Sequence, residues 1–114
     1  MEHVMKLRPH PFSMIKSGQK TIELRLYDEK RQLLSAGDII RFVNTKDETD
    51  VLDAEVKTLH VFKSFDELYM HLPLLKCGYT EENVNRALPG DMEQYYSREE
   101  QSRYGVVGIE IGLL

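Results

Sequence analysis

Residues 18–25 read Gly18-Gln19-Lys20-Thr21-Ile22-Glu23-Leu24-Arg25, and the rest of the chain is organised around this stretch. A glycine that can end a helix is followed at once by alternating aliphatic and polar residues. In a strand, this alternation sends the aliphatic side chains to one face and Thr21, Glu23 and Arg25 to the other. The polar face is either a solvated charged surface or a functional one. On strict alternation Lys20 falls on the Ile22 face, so it joins Glu23 only if the strand begins after it or the chain twists there.

The residues on either side of this motif predict further strands and a short helix. Residues 3–7 alternate and predict a strand, and Pro11 suits the first turn of a helix that Gly18 closes. Beyond the motif strand (20–26), residues 29–34 predict one or two helical turns. The Gly37-Asp38 turn then precedes a β-rich run at 39–43.

A polar segment and a long apolar run follow. Residues 44–50 hold no large apolar side chain and predict an exposed hairpin loop. Residues 51–62 predict one long strand in which the apolar positions change parity between Val56 and Leu59. Such a change indicates a bulge of the kind that curls a sheet toward a barrel.

The second half of the sequence changes to helical spacing. Ser64 and Glu67 have the spacing of a capping box and predict a helix through about residue 71. Thr80 predicts the start of another helix, which Pro89-Gly90 stops, and residues 91–96 predict one more helical turn. A further capping-box match at 97–100 precedes a strand predicted over 104–111. The fold class expected from this order is α+β, a small curled β-barrel of about five strands with several short helices.

Composition limits the functions that are open to the chain. Its 114 residues suit a single domain over 1–114, and its net charge of −4 argues against a protein that coats nucleic acid by electrostatics. A local basic pocket is still compatible with that charge, and Lys6 and Arg8 could contribute to it. Cys77 is the single cysteine, which excludes an internal disulfide and fits a reducing compartment. The sequence has neither a run of about 18 apolar residues nor a signal peptide, so we expect a cytoplasmic protein without a membrane partner. The four histidines lack metal-ligand spacing, and we expect neither a metal nor a cofactor.

The motif and its context resemble the ASCH domain, a family of the PUA-like superfamily. The resemblance is carried by Gly18-x-Lys20-x-x-Glu23-x-Arg25, by Gly37-Asp38 before an apolar strand, and by the terminal Tyr104-Gly105-Val106 strand, and it covers nearly the whole chain. It implies a PUA-like pseudo-barrel with a cleft beside the motif strand. It also implies binding of RNA, or of a modified nucleoside or nucleotide. Some members act as hydrolases on N4-acetylcytidine or as ribonucleases, which is the alternative function.

The resemblance assigns Lys20, Glu23 and Arg25 to the candidate site. The acetylcytidine hydrolases place a threonine nucleophile three residues after the lysine, where this sequence has Glu23. Thr21 cannot simply replace it, because that side chain leaves a different part of the backbone. Their helical glutamate has no clear counterpart either, since the equivalent stretch reads Leu74-Leu75-Lys76-Cys77.

Residue chemistry leaves a binding function and an enzymatic function open. Lys20 and Arg25 can donate to a phosphate or a carbonyl, and Glu23 can accept from the exocyclic amine of a base. In an enzyme, Glu23 would instead activate water while Lys20 or Arg25 stabilises an oxyanion, which makes Lys20 and Glu23 the candidate catalytic residues. Tyr104 is a candidate for stacking on a base, as are Tyr95 and Tyr96, although half-buried packing is the alternative for all three.

Overall fold

One five-stranded sheet carries the motif strand, and the short helices lie around it. The structure is a computed structural model that describes residues 2–114. Within that range the strands are β1 (Glu2–Leu7), β2 (Ile22–Leu26), β3 (Ile39–Asn44), β4 (Asp47–Phe62) and β5 (Val106–Leu113). Their order across the sheet is β1-β3-β4-β5-β2, in which β1 runs parallel to β3 and the other neighbours are antiparallel. The sheet curls into a half-barrel, so the predicted α+β fold is confirmed.

The helices are short and several are capped as the sequence predicts. The α-helices in residues 2–114 are α1 (Pro9–Lys16), α2 (Phe65–His71) and α3 (Arg98–Tyr104). Ser64 accepts a hydrogen bond from the Glu67 amide, and Ser97 forms a complete capping box with Glu100. Single-turn or longer 3₁₀ segments cover Arg31–Leu33, Leu74–Lys76, Val84–Arg86 and Pro89–Gln94. In residues 2–114 no helix combines the length and the apolar character that crossing a membrane requires.

The predicted bulge in the long strand is confirmed. The register between β4 and β5 shifts between Val56 and Thr58, and Lys57 lies at the irregularity. The shift allows both Val56 and Leu59 to face the core, although they have opposite parity. The extra residue also increases the local twist, which curls the sheet.

The predicted loop at 44–50 is wrong over most of its length. The chain turns at Thr45-Lys46 and β4 already begins at Asp47. The Asn44 side chain accepts from the Lys46 amide at 3.0 Å, so the turn is satisfied locally. The prediction failed because the two strands of an exposed hairpin can form their backbone hydrogen bonds even where the side chains are polar.

The helix predicted from Thr80 is also wrong. The structure has only the 3₁₀ turn Val84–Arg86 there, and the Asn83 side chain accepts from the Thr80 amide at 2.7 Å. Such side-chain bonds to nearby backbone compete with a regular helix. The final strand starts two residues later than predicted, because Tyr104 ends α3 and Gly105 turns the chain at φ 75°.

Two hydrophobic clusters in residues 2–114 cover the two faces of the sheet region around β2. One centres on the half-barrel interior and includes Phe12, Phe42, Ile109 and Ile111. The other packs beneath α2 and includes Ile22, Leu24, Phe65 and Leu68. Since Glu23 is only 3% exposed, the polar face of β2 is covered as well and is not a solvated surface.

Candidate ligand-binding cleft

The three charged residues of the motif meet at one buried point. Lys20 Nζ lies 2.6 Å from Glu23 Oε1, and Arg25 Nε lies 2.7 Å from Glu23 Oε2. The exposed fractions of the three side chains are 11% for Lys20, 4% for Glu23 and 14% for Arg25. We call these residues the ion triad. Arg25 Nη2 also donates to the Lys6 carbonyl at 3.1 Å, which links β2 to β1.

The turn after α1 brings Lys20 into the ion triad. Gly18 adopts a φ of 84°, and the Lys20 amide then donates to the Met14 carbonyl at 3.0 Å. The Thr21 amide donates to the Lys76 carbonyl at 2.9 Å, and β2 begins only at Ile22. Lys20 therefore lies outside the strand alternation, which is the condition under which it can reach Glu23.

Burial and pairing act in opposite directions on the charges of the ion triad. Burial by itself raises the pKa of Glu23, but the combined attraction and hydrogen bonds of Lys20 and Arg25 outweigh it and leave that pKa below its usual value. For Arg25, burial lowers the pKa, whereas Glu23 and more weakly Tyr96 raise it above the ordinary value. Glu23 and Arg25 therefore carry their charges at neutral pH, and with Lys20 counted as a cation the ion triad has a formal net charge of +1.

The ion triad opens into a cleft of about 510 Å³. Among residues 2–114, the charged side chains that line it are four cations and two carboxylates: Lys6, Arg8, Lys20, Arg25, Glu23 and Asp91. With His10 counted as neutral, they carry a net charge of +2. The chain as a whole has a net charge of −4. The cleft is therefore a basic region in an acidic protein.

Tyrosines form much of the remaining lining of the cleft. Tyr69, Tyr79, Tyr95 and Tyr96 all contribute. Tyr96 is anchored by Phe65, whose ring is stacked on it at a centroid distance of 6.2 Å, whereas Tyr95 is 53% exposed. Two of the three tyrosines that we considered for base stacking thus lie in the cleft.

Tyr104 does not line the cleft. It is half-buried at the end of α3, and the Arg103 guanidinium lies over its ring at 5.2 Å from the centroid. The structure therefore brings together Lys20, Glu23 and Arg25 but places Tyr104 elsewhere. The sequence predicts Tyr104 at the start of the last strand, whereas the structure places it at the end of α3.

A hydrogen-bonded group in the cleft was not foreseen from the sequence. Tyr69 and Tyr79 join their hydroxyls at 2.7 Å, and Tyr79 donates to Asp91 Oδ2 at 2.8 Å. Asp91 Oδ2 also accepts from the Leu88 amide at 3.1 Å. Two of these three side chains come from irregular or 3₁₀ segments, which have no periodicity for a sequence analysis to detect. Tyr69 is on α2, next to the buried Leu68, and helical spacing alone gives it no chemical role.

Two candidate nucleophiles are poorly placed or poorly activated. Thr21 lines a different cavity, of about 370 Å³, together with His60, Phe62 and Lys76. Cys77 lines the cleft, but burial raises the pKa of its thiol to about 11. It is therefore protonated at neutral pH and is a weak nucleophile. In residues 2–114 no three His, Cys, Asp or Glu side chains are grouped as metal ligands would be.

Comparison with known proteins places the chain in a family. The family model of the ASCH domain matches residues 5–114. This chain belongs to the ASCH domain family. The family is associated with RNA binding. No curated protein matches this ASCH domain significantly.

Solved structures share the fold of this ASCH domain. The hypothetical protein PH0355 is 36% identical over 100% of both chains, with a TM-score of 0.81. Protein PF0455 from Pyrococcus furiosus is 34% identical over 100% of this chain and 98% of that one, with a TM-score of 0.74. The ASCH protein from Zymomonas mobilis is 18% identical over 97% of this chain and 66% of its own, with a TM-score of 0.69. At that identity the last likeness concerns the fold alone.

Proposed function

We propose that the cleft binds one nucleotide unit, either within single-stranded RNA or as a free nucleotide or modified nucleoside. The observation that carries this proposal is the buried ion triad at a cleft with a net charge of +2 in a protein with a net charge of −4. A concave, locally basic site with aromatic walls suits an anionic ligand that has a planar ring. The association of the ASCH family with RNA binding supports the same class of ligand.

In this proposal Lys20 and Arg25 contact the ligand, and Glu23 holds them in place. Each carboxylate oxygen of Glu23 accepts from one of the two cations. The remaining N–H groups of Lys20 and Arg25 are then available to a carbonyl or phosphate oxygen of the ligand. Residue chemistry alone predicts that Glu23 itself accepts from a base. Its 3% exposure and its two cationic partners instead favour a positioning role.

The mouth of the cleft suits the sugar and phosphate. Lys6 is on β1 and Arg8 follows it, and both are exposed where they line the cleft. The Lys6 ammonium pairs with Glu48 at 3.6 Å with both side chains 62% exposed, and an exposed pair of this kind is easily exchanged for a ligand phosphate. Tyr95 and Tyr96 offer rings on which a base can stack.

The contacts of the ion triad favour binding over the hydrolase alternative. A carboxylate whose pKa lies below the usual range is a weak general base, and both oxygens of Glu23 are already occupied. The position of the family's threonine nucleophile is taken by Glu23, and Thr21 faces another cavity. We therefore place the amidohydrolase and ribonuclease activities second.

Calorimetric titration with ribonucleoside 5′-monophosphates and a single-stranded RNA hexamer tests the proposal. The double variant Lys6→Ala/Arg8→Ala removes two exposed charges from the cleft, and Lys46→Ala/Lys63→Ala removes two exposed charges outside it. We expect nucleotide affinity to fall about 3- to 30-fold in the first variant, corresponding to about 0.3–1 kcal/mol per exposed contact, and to be unchanged in the second. If none of these ligands binds at low salt, the proposal is wrong.

Incubation with N4-acetylcytidine and with RNA completes the test. We expect binding without release of acetate and without strand cleavage. Sustained turnover that is lost in Glu23→Gln would replace the binding function by the hydrolase alternative.

A further inference from the structure

The hydrogen-bonded tyrosines in the cleft have a fixed direction of proton donation. Asp91 Oδ2 receives the Leu88 amide at 3.1 Å and the Tyr79 hydroxyl at 2.8 Å. A carboxylate can only accept, so the single proton of the Tyr79 hydroxyl is directed to Asp91. The Tyr69 hydroxyl, 2.7 Å from that of Tyr79, must then be the donor in their mutual hydrogen bond. The order of donation is Tyr69 to Tyr79 to Asp91.

With this order of donation, the hydroxyls of Tyr69 and Tyr79 can accept a hydrogen bond from a ligand but cannot donate one. The protons of both phenols are used within the chain, whereas Tyr69 Oη keeps two free lone pairs and Tyr79 Oη keeps one. Burial, partly offset by the hydrogen bond to Tyr79, raises the pKa of Tyr69 to about 12. Burial also raises the pKa of Tyr79, with further contributions from Tyr69 and Asp91. Both phenols therefore stay protonated throughout the physiological range.

Three other polar side chains of the lining have the opposite character. Lys20 and Arg25 are donors without acceptor capacity, and Asn83 keeps its amide protons because its Oδ1 accepts from the Thr80 amide at 2.7 Å. The cleft thus has donors at the ion triad and at Asn83 but acceptors at the tyrosines. A ligand that fills the cleft has to present hydrogen-bond acceptors to the ion triad and to Asn83, and a hydrogen-bond donor to the tyrosine oxygens.

We propose that the Tyr69–Tyr79–Asp91 chain selects a base that carries an exocyclic amine over one that carries a carbonyl at the same place. This inference rests on the proposed function and specifies its ligand class. A cytosine-type base has an amine donor at one end and a carbonyl acceptor at the other. Uracil presents a carbonyl in place of the amine, so its oxygen would face the phenol oxygens without a proton between them.

The comparison of cytidine and uridine 5′-monophosphates in the wild type is the direct test. We expect cytidine monophosphate to bind at least about fivefold more tightly, because a buried acceptor facing another acceptor loses one hydrogen bond and the hydration of both. The monophosphate of the pyrimidin-2-one nucleoside has neither amine nor carbonyl at that place. Its affinity should lie between those of the other two, and this measurement needs no variant.

The variant Tyr79→Phe tests the direction of the chain. It removes the acceptor of the Tyr69 proton, so Tyr69 can now donate to a ligand. We expect uridine monophosphate to bind more tightly than in the wild type and the preference for cytidine monophosphate to fall to about onefold or to reverse. The matched control Tyr69→Phe removes the terminal oxygen without freeing a proton. There cytidine monophosphate should bind less tightly, and uridine monophosphate should gain only the relief of the opposed oxygens and no new hydrogen bond, so the preference should fall without reversing. A loss of packing cannot improve the binding of uridine monophosphate.

The outcomes separate this inference from the proposed function. Equal binding of the two nucleotides, or an unchanged preference in Tyr79→Phe, overturns the inference and leaves the proposed function intact. A preference for uridine monophosphate also overturns it, because the donors of the lining would then select the base. If no nucleotide binds, the proposed function fails and this inference fails with it.

Discussion

At the scale of single residues, Glu23 determines whether the cleft can hold two buried cations. Lys20 and Arg25 lose most of their hydration, and the carboxylate between them is the counter-charge that compensates for that loss. The three side chains therefore form one electrostatic unit. Replacing one member changes the environment of the other two.

We expect Glu23→Gln to lower the free energy of unfolding by about 3 kcal/mol, because it leaves two buried cations without a counter-charge. Urea unfolding followed by circular dichroism measures this loss. Glu55→Gln is the matched control, since Glu55 pairs with Lys57 at 2.7 Å where the side chains are 36% and 53% exposed. The control should lose less than about 1 kcal/mol. Equal losses in the two variants would show that the ion triad contributes no more than a surface pair.

The same carboxylate gives the protein a defined acid sensitivity. Because the folded-state pKa of Glu23 lies below its usual 4.5, its contribution to stability is complete above that pH and is lost as the pH falls through the lower folded value. We expect the difference in unfolding free energy between the wild type and Glu23→Gln to be constant from about pH 7 to about pH 5 and to shrink below about pH 4.5. A difference that shrinks above about pH 5 would mean that the pKa is raised instead.

At the scale of elements, the junction between α3 and β5 depends on Gly105. This residue has a φ of 75°, and a Cβ added there would lie 2.9 Å from the Phe62 carbonyl oxygen. The Gly105 carbonyl accepts from the Tyr27 amide at 3.0 Å, so the turn is tied to the end of β2. The close approach of three backbone segments leaves no room for a side chain.

We expect Gly105→Ala to destabilise the fold by about 3 kcal/mol through backbone strain and the collision with Phe62. Gly18→Ala isolates the strain, since Gly18 has a φ of 84° but nothing lies within 4 Å of its added Cβ. That variant should lose about 1 kcal/mol. Thermal and urea unfolding of both variants provide the comparison, and a loss at position 105 no larger than at 18 would contradict the steric argument.

The elements with strong periodicity or caps were predictable from sequence, and those without them were not. The bulge near Lys57 followed from a parity change, and α3 followed from the capping box at Ser97. The helix prediction between Thr80 and Leu88 failed for a local reason. The acidic residues there resemble the first turn of a helix, but the Asn83 side chain accepts the hydrogen bond of the Thr80 amide instead. Short-range side-chain bonds of this kind are invisible to a pattern of apolar positions.

The candidate site divides in the same way. The alternation of the motif strand places Glu23 and Arg25 on one face, and Lys20 can join them because β2 begins after it, at Ile22. Tyr69, Tyr79 and Asp91 are brought together only by the packing of α2 against the 3₁₀ segment Pro89–Gln94, which no local pattern records.

At the scale of the whole molecule, charge is distributed unevenly. A net charge of +2 from the side chains lining the cleft, in a chain with a net charge of −4, confines attraction for phosphate to one concavity. The remaining surface is acidic and repels a long polyanion. This distribution suits a ligand of a few nucleotides better than extended RNA.

We expect the salt dependence of RNA binding to be shallow. With one or two phosphate contacts, the slope of log affinity against log salt for single-stranded RNA should be about −1, and it should be the same for a hexamer and a 20-mer. Lys6→Ala/Arg8→Ala should flatten the slope further, and Lys46→Ala/Lys63→Ala should leave it unchanged. Titrations at several potassium chloride concentrations measure it. A slope that steepens with RNA length would contradict a confined site.

The strand order leaves β1 and β2 as the two free margins of the half-barrel, and the Arg25 side chain crosses from one to the other to reach the Lys6 carbonyl. Arg25, which is proposed to contact the ligand, thus also connects the two edge strands across the open side of the half-barrel. A ligand that immobilises the Arg25 side chain would strengthen this connection and restrain the separation of β1 from β2. Slower deuterium uptake by the backbone amides of β1 and β2 would then report ligand binding, even for a ligand that has no spectroscopic signal of its own.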